Sequence, residues 1–465
     1  MSVIDKIKQT VANGLTKLRY RAVDPADTTA RPIFISHRSE DKELPPQDRA
    51  ALISAARDIE RNFTLAGFCV RKYLQSVGYY TFYADTPYPE FNERLNTLIR
   101  RWKRDCDVTG RRTFDELIYL AEHLRLTDGD VGILRTSDNR LQLIESDRVK
   151  DPQSPGQDEK WVQGVRLDSY GVPLEYAIWD RAEGTNLVYQ TTISADVMDL
   201  LGYYTRADQT RGISPLASAL RMFGMLEDAL NLALSKAKIE QSVGLVTKLI
   251  GDSQLAPVRQ PLAEREGGID KAARETFGQG ILHLSLREGE EASLLTSNNP
   301  SSQFMQFAEQ ITRLVFAALD IPYSFFDGSA ATFFSQRGEM EQWIDSVEIK
   351  QAPTIRLLNK WVKDWLLPNW ILDGSIELPP GASIDDLADS FGWTGAGLPV
   401  WRLLEYSKDC ATAIQLGLVS PKEIVESYGF NPTKNLRDTA NFIDAAKELG
   451  IELPFGQPTQ TNIGL

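Results

Sequence analysis

The sequence has few of the residues that build metal and redox sites. Among its 465 residues there are only three cysteines and three histidines. Cys69, Cys106 and Cys410 lack the spacing of a metal site, and three thiols cannot all pair. This usage fits a protein of the reducing cytoplasm, and neither a metal nor a cofactor is expected.

Long apolar runs and an excess of positive charge are also absent. No stretch reaches the roughly 18 apolar residues that a membrane-spanning helix needs, so no membrane span is expected. The formal net charge of −13 argues against tight nucleic-acid binding, which depends on clustered Lys and Arg. An acidic balance suits a conduit through which DNA slides, because fewer phosphate contacts hold the duplex in place.

The common catalytic motifs are missing as well. The sequence contains no phosphate loop, no dinucleotide-binding Gly-x-Gly-x-x-Gly, no His-Glu-x-x-His and no Gly-x-Ser-x-Gly. His37, His123 and His283 are scattered and have no obvious zinc or serine-triad partners. We therefore predict that the protein is not an enzyme.

Two acidic clusters keep an enzymatic alternative open. Asp128 with Asp130, and Asp385 with Asp386 and Asp389, could bind Mg²⁺ in a nucleic-acid enzyme. The simpler interpretation is that the first pair belongs to a turn and that the second group begins a solvated helix.

The N-terminal part predicts an amphipathic helix followed by an extended arm. Its apolar residues recur at helical spacing, and the same segment is basic through Lys6, Lys8, Lys17, Arg19 and Arg21. The apolar stripe consists of Ile4, Ile7, Val11, Leu15 and Leu18. Docking on the protein itself or on a neighbouring subunit is favoured over a membrane surface. Residues 31–47 show little periodicity and predict the arm.

The periodicity then predicts helices followed by short strands. The helices are expected at Ala50–Ser76, Pro89–Lys103 and Phe114–Leu124. The strands are expected at Val131–Arg135, Leu141–Glu145, Trp161–Leu167, Leu174–Trp179 and Asn186–Gln190. An antiparallel β layer packed on helices makes the fold class α+β.

The second half predicts long helices around a small β insertion. Ser214 is expected to cap a helix that begins at Pro215 and continues to Ala237. The next elements are a strand at 243–250, a polar helix at 269–277, strands at 281–286 and 293–296, and a helix from Phe304 to Ala318 that Pro322 stops. Pro353 predicts a kink or break near Lys350. Residues 400–453 are expected to be helical, with breaks at Gly417 and Gly429.

Tryptophans are frequent toward the C-terminal end and could form a stacking surface for single-stranded nucleic acid. Core packing is the favoured interpretation, because several of them follow a helical stripe. The residues concerned are Trp343, Trp361, Trp365, Trp370, Trp393 and Trp401.

The segment Thr205–Ala217 carries the most specific motif. It reads Arg-x-x-Gln-x-Arg-Gly-x-Ser-Pro-Leu ahead of a long helix, and this resembles the signature of lambda-like portal proteins of tailed bacteriophages. Weaker similarities follow in the family's order between Arg57 and Leu367. They lie at Arg57–Gly67, Trp102–Phe114, Asp128–Val131, Leu143–Val149, Gly164–Tyr176 and Ser335–Arg337.

The resemblance implies a ring of identical subunits, expected to be a dodecamer, at one special vertex of the capsid. Its implied partners are the large terminase, the head-tail adaptor, the major capsid and scaffolding proteins, and double-stranded DNA that passes through without sequence recognition. The ring would assemble in the cytoplasm of the host bacterium and remain in the virion, with no membrane contact. A magnesium-dependent nucleic-acid enzyme and a monomeric scaffold or binding module are the alternatives.

The resemblance also implies a division of the chain in the family's terms of wing, stem, clip, tunnel loop and crown. The expected parts are an N-terminal helix and arm at 1–49, an α+β wing at 50–250, a first stem part at 251–278, a clip at 279–300, a second stem helix at 301–320, a tunnel loop at 321–336, a long kinked helix returning to the wing at 337–380, a helical crown at 381–453 and a disordered tail at 454–465.

Two candidate sites follow from these assignments. The channel loop would comprise Asp327, Gly328, Ser329, Ala330, Ala331 and Thr332, which are mostly small and uncharged. A surface that docks terminase or adaptor would lie in the hairpin between Gly280 and Asn299. Its candidate residues are His283, Arg287, Glu288, Glu290 and Glu291.

Overall fold

The computed structural model describes most of the chain between Ser39 and Leu453. The described residues are 39–153, 160–181, 187–248, 275–277, 281–286, 302–329, 332–395, 403–427, 432–451 and 453. The predicted N-terminal stripe, the strand at 293–296, Gly429, Trp401 and the tail at 454–465 lie outside them.

Helices account for most of the described residues, and strands lie between them in four regions of the chain. In chain order the helices are α1 Glu40–Glu43, α2 Pro46–Asn62, α3 Thr64–Val77, α4 Pro89–Asp105, α5 Phe114–Asp128, α6 Ala217–Ser242, α7 Ser302–Ala318, α8 Phe333–Trp361, α9 Leu367–Leu372, α10 Ile384–Leu387, α11 Leu403–Gln415, α12 Pro421–Ser427 and α13 Pro432–Glu448. A π-helical turn, Val362–Leu366, joins α8 to α9.

The strands form four small sheets. They are β1 Tyr80–Ala84, β2 Asp130–Arg135, β3 Leu141–Glu145, β4 Trp161–Val162, β5 Val165–Leu167, β6 Pro173–Arg181, β7 Leu187–Ser194, β8 Met198–Gly202, β9 Val243–Lys248, β10 Glu275–Phe277, β11 Ile281–Leu286 and β12 Phe391–Gly395. The sheet orders are β3-β2-β8, β4-β5-β6-β7, β10-β11-β9 and β1-β12. This mixture of helices and mainly antiparallel strands confirms the α+β prediction at the level of fold class.

Three apolar clusters hold these elements together. The first joins β1, α4, α5 and β12 to the end of α8, and it contains the buried Trp102, Trp361, Trp365, Trp370 and Trp393. The second packs α3 against α5, the start of α6, the end of α7 and the first half of α8. The third lies between β3, β6 and β8. Of the six tryptophans singled out from the sequence, the five that the structure describes are buried, so core packing is confirmed for them.

Several boundaries differ from the sequence prediction for identifiable reasons. The expected helix Ala50–Ser76 is two helices, because Phe63 adopts an extended conformation and its ring packs edge-on against Phe223. The arm is not extended throughout. Residues Glu40–Glu43 form a helical turn, whose Asp41 carboxylate accepts hydrogen bonds from the backbone N–H groups of Thr210 and Arg211.

Three further predictions in the second half require correction. Residues 275–277, expected to end a polar helix, form a strand because they pair with β11. Helix α6 begins at Ala217, preceded by a turn that Ser214 starts, yet Ser214 Oγ still accepts the Leu216 N–H as expected of a cap. Of the kink or break expected near Lys350, the break is wrong, because α8 continues through Pro353 to Trp361. Pro353 removes one backbone donor, and the neighbouring Ile349 is 75% exposed, so water can solvate this turn.

Among the described residues, no helix is both long enough and apolar enough to cross a membrane.

Candidate functional site

The buried side chain of Arg211 anchors the signature segment Thr205–Ala217 in the protein interior. The Arg211 guanidinium donates from Nε and Nη2 to the two carboxylate oxygens of Asp130, each at 2.8 Å. Its remaining donors reach the carbonyls of Ser146, Val149 and Gln163 at 2.7 to 2.9 Å. One side chain thus joins the signature loop to β2 and to the segments next to β3 and β5.

Asp130 is charged although it is completely buried. Burial by itself would raise the pKa of its carboxyl group, but the opposing charge and hydrogen bonds of Arg211 hold that pKa below its usual value. Ser146 Oγ and the Gly212 N–H also donate to the carboxylate, at 2.6 and 2.8 Å. All of these contacts favour the ionised form, so the pair is a structural element of the loop.

Arg49 extends this network to helix α2. Its Nη1 donates to the Gly212 carbonyl at 2.6 Å, and its Nε donates to Gln163 Oε1 at 2.7 Å. Burial, followed by the nearby positive charge of Arg211, lowers the pKa of Arg49 to about 10. The sequence analysis did not identify Arg49. Its position in a turn-flanked helix carries no motif that would have singled it out.

Two glycines allow the signature loop to approach the turn before β2. Gly129 has a φ of +97°, and a Cβ placed on it would lie 2.6 Å from the Gly212 carbonyl oxygen. A Cβ on Gly212 would in turn collide with the Gly129 carbonyl. The backbones are therefore packed more closely than any side chain permits.

The first acidic cluster of the magnesium hypothesis is occupied by arginines. Arg57 donates to both oxygens of Asp128, at 2.8 and 2.5 Å, and lies 3.5 Å from carboxylate oxygens of Glu145 and Asp147. Burial raises the pKa of Asp128 even though Arg57 opposes that shift. Asp128 and Asp130 thus each have an arginine partner and belong to the packing of α5 and β2.

The second acidic cluster caps a short helix. Asp386 Oδ2 accepts hydrogen bonds from the N–H and Oγ of Ser383, in a reciprocal capping box. Asp385 lies 2.7 Å from Lys363 Nζ. Within the described part of the chain, no group of three or more His, Cys, Asp or Glu side chains could hold a metal ion.

A second buried polar network fastens the long helix α8 next to Pro353. Glu122 Oε1 accepts hydrogen bonds from Tyr80 and Thr354 at 2.8 and 2.5 Å. Arg125 Nη1 donates to Glu122 and to the carbonyl of Lys350, at 3.1 and 3.2 Å. Hydrogen bonds to side chains of α5 therefore hold α8 at the turn where Pro353 has no backbone N–H to donate.

The candidate channel loop joins α7 to α8 and is exposed in its described part. Asp327, Gly328 and Ser329 are exposed, and Asp327 Oδ1 accepts the Ser329 N–H at 2.9 Å. Hydrogen bonds from Ser329 lower the pKa of the Asp327 carboxyl group. Thr332 Oγ1 accepts the Ser335 N–H and caps α8. Ala330 and Ala331 lie outside the described residues.

An aromatic cluster anchors this loop. Phe326 packs against Phe68, Phe316 and Tyr323, with ring centroids 5.7 to 5.9 Å apart. These ring contacts hold Phe326, the residue immediately before Asp327, in place at the start of the exposed tip.

Of the candidate docking hairpin, the structure describes only strand β11. His283 lies on the central strand β11, opposite Glu275 of β10 and Leu245 of β9. Arg287, Glu288, Glu290 and Glu291 lie outside the described residues.

Comparison with known proteins gives one sequence match. The model of the family described as "Phage portal protein, lambda family" matches residues 28–351, which include the signature segment and both candidate sites. No curated protein matches the sequence.

Solved structures that contain a similar chain come from gene transfer agent particles. One is titled as the neck of the empty particle with C6 symmetry, at 14% identity and a TM-score of 0.45, covering 88% of this chain and 98% of the other. The native virion gives 13% identity and a TM-score of 0.44, covering 83% and 94%. The native neck with C12 symmetry gives 15% identity and a TM-score of 0.42, also covering 83% and 94%. At such low identities and scores, the family assignment depends on the sequence match.

Proposed function

This chain belongs to the lambda family of phage portal proteins. We propose that different segments of it close the ring, line the DNA channel and dock partner proteins. A portal is the ring at one capsid vertex through which DNA is packaged and ejected. The family match over residues 28–351 is the observation that carries this function.

Ring closure is assigned to the exposed apolar side chains of α6 and α7. Beyond its buried first turns, α6 exposes Leu232 and Leu234 at 71% and 58%, and α7 exposes Met305 and Phe307 at 57% and 52%. A ring of identical subunits needs two different complementary faces on each subunit. Covering these side chains with a neighbouring copy would remove apolar surface from water, which favours closure. Twelve copies are proposed, as the resemblance implies.

The loop from Asp327 to Thr332 is assigned to the channel. Its described tip is exposed and combines Gly328 and Ser329 with one carboxylate, Asp327. In a ring, these groups would face a duplex without the Lys or Arg contacts that hold phosphates. Low affinity along the channel lets DNA slide in either direction.

The segment 279–300 is assigned to the clip and to docking of the large terminase or the head-tail adaptor. Strands β10 and β11 support it, and the acidic residues Glu288, Glu290 and Glu291 follow β11 in sequence. Charge on an exposed ring end sets the encounter rate and orientation of a partner. In the same terms, residues 50–250 are the wing, α7 belongs to the stem, and residues 381–453 form the crown.

Light scattering after size-exclusion chromatography tests the ring. The expected mass is many times the 52.1 kDa of one subunit, and negative-stain images should show closed rings. Changing Leu232 and Leu234 to Asp should dissociate the ring while the subunit stays folded, because both side chains are exposed in the subunit. Leu372→Asp, at an exposed site on α9, is the matched control and should leave the ring intact. A folded wild-type protein that remains monomeric at all concentrations would contradict the proposed function.

Docking is tested with the large terminase of the same phage. Changing Glu288, Glu290 and Glu291 to Lys should leave the ring intact and weaken terminase binding, most strongly at low salt. Reversal of Glu90, Glu93 and Asp105, three exposed carboxylates on α4, is the matched control. Equal binding by both variants across salt concentrations would remove the clip assignment.

A further inference from the structure

A groove of about 620 Å³ lies between the end of α7 and the first half of α8. The apolar part of its lining, called the floor, consists of Ala317, Ile321, Pro322, Trp343 and Ile349. Ile321 and Trp343 are buried in the protein core beneath it, whereas Ile349 is 75% exposed. The groove has room for several aliphatic side chains, and filling it would cover Ile349.

The rim of the groove is acidic. It carries Asp320, Glu339 and Asp345, with Lys350 as its only basic residue. Lys350 Nζ lies 2.8 Å from Asp320 Oδ2, so these two charges offset each other. Glu339 accepts a hydrogen bond from Ser324 Oγ at 2.5 Å, which fixes the carboxylate at the edge of the groove. The surface as a whole therefore combines an apolar floor with excess negative charge.

This combination matches one segment of the same chain. Residues 4–21 place Ile4, Ile7, Val11, Leu15 and Leu18 at helical spacing and add five basic residues. An amphipathic basic helix lying in the groove would direct its aliphatic stripe to the floor and its Lys and Arg side chains to the rim. The chain between Arg21 and Ser39 can span about 60 Å when extended, so residues 4–21 can dock far from α1.

We propose that the basic N-terminal segment, residues 4–21, docks in the groove formed by Asp320, Ile321, Glu339, Trp343, Asp345 and Ile349. The contact fastens the arm that precedes α1 and neutralises the acidic rim. It does not depend on how DNA or terminase binds.

Limited trypsin digestion of the full chain tests the contact, because the segment itself provides cleavage sites after Lys17, Arg19 and Arg21. Mass spectrometry follows the rate of cleavage after Arg19. Docking protects this site in the wild-type protein, and Asp345→Lys should raise the rate at least about fivefold by placing like charge beside the segment. Ile349→Ser should also raise it through lost apolar contact. Glu348→Lys makes the same charge change on the same helix outside the groove, and it should leave the rate unchanged.

A charge exchange separates direct contact from damage to the fold. Combining Asp345→Lys with Lys6→Glu and Lys8→Glu should restore much of the protection, which a merely unfolded groove could not do. Three results would overturn the proposal: cleavage of the wild-type segment as fast as in Asp345→Lys, protection that neither groove variant reduces, or protection that appears only after adding phosphatidylserine vesicles. The last of these would identify a membrane surface as the occupant.

Discussion

Arg211 and Asp130 form a bidentate ion pair in the interior, with the guanidinium Nε and Nη2 each 2.8 Å from a carboxylate oxygen. Arg211 is 1% exposed and Asp130 is fully buried. The pair joins the signature loop to the strand β2, 81 residues earlier in the chain. The most specific motif of the sequence thus serves the fold of the subunit directly.

Replacing Arg211 should destabilise the protein strongly. In Arg211→Ala the Asp130 carboxylate stays buried without its counter-charge, and breaking a buried pair in this way costs about 3–5 kcal/mol. Arg206→Ala is the matched control in the same loop. Arg206 is exposed and pairs with Glu40, so its loss should leave the free energy of unfolding nearly unchanged. Urea unfolding followed by circular dichroism measures both, and comparable losses would show that the buried pair is not what holds the loop.

The same pair should make stability depend on pH in the acid range. The folded-state pKa of Asp130 lies below its usual value, because Arg211 overcomes the effect of burial. The unfolded chain therefore takes up the proton first, near pH 4, and the folded state resists it. The stabilisation is complete above about pH 4 and is lost as the pH falls through the folded-state pKa.

Urea midpoints measured from pH 7 down to pH 3 test this dependence. Asp130→Asn should be less stable than the wild type throughout the range, because Arg211 loses its charged partner. Its stability should nevertheless fall less steeply below about pH 4, since it has no proton to take up at this site. Parallel curves for the two proteins over that interval would refute the assignment.

The contact between Gly129 and Gly212 predicts a sharp difference between two glycine substitutions. Gly212→Ala places a methyl group against the Gly129 carbonyl and should destabilise the protein by about 2–3 kcal/mol. Gly224→Ala meets no atom within 4 Å and lies within α6, where alanine favours the helix. It should be neutral or stabilising by up to about 1 kcal/mol. Thermal unfolding of the two variants provides the comparison, and equal transition temperatures would contradict the close backbone approach.

Helical periodicity predicted the helices well, but it did not predict which surface covers the apolar face of each helix. Apolar residues recur at helical spacing from Leu216 onward through α6, and the structure buries Leu216, Phe223 and Leu226 as expected of a core face. Leu230 and Leu234, farther along the same stripe, are 38% and 58% exposed in the subunit. An apolar stripe shows that one face of the helix is apolar. Whether the same chain or a neighbouring subunit covers that face depends on how the subunits assemble.

Contacts between segments that are distant along the chain could not be predicted from the sequence alone. Strand β1 pairs with β12 across about three hundred residues, Tyr80 lying opposite Gly395, and neither strand was predicted. The partner of Arg211 could not be predicted either, because Asp128 and Asp130 flank the same glycine and look alike in the sequence. Only the tertiary packing shows that Asp128 pairs with Arg57 and Asp130 with Arg211. The channel loop could be placed by its position between two helices, and its role stays a prediction.

Charge added to that loop should expose its role. Ser329→Arg combined with Ala330→Arg places two new positive groups per subunit at a tip whose described residues are exposed, so the ring should assemble with little change in stability. If the loop lines the channel, these groups gather around the duplex and hold its phosphates, and DNA packaging or ejection should slow with a dependence on salt. Ser169→Arg, on an exposed hairpin tip before β6, is the control and should package normally. Packaging is measured as DNA protected from nuclease in filled heads, and wild-type yields from stable rings carrying both arginines would place the loop away from the DNA.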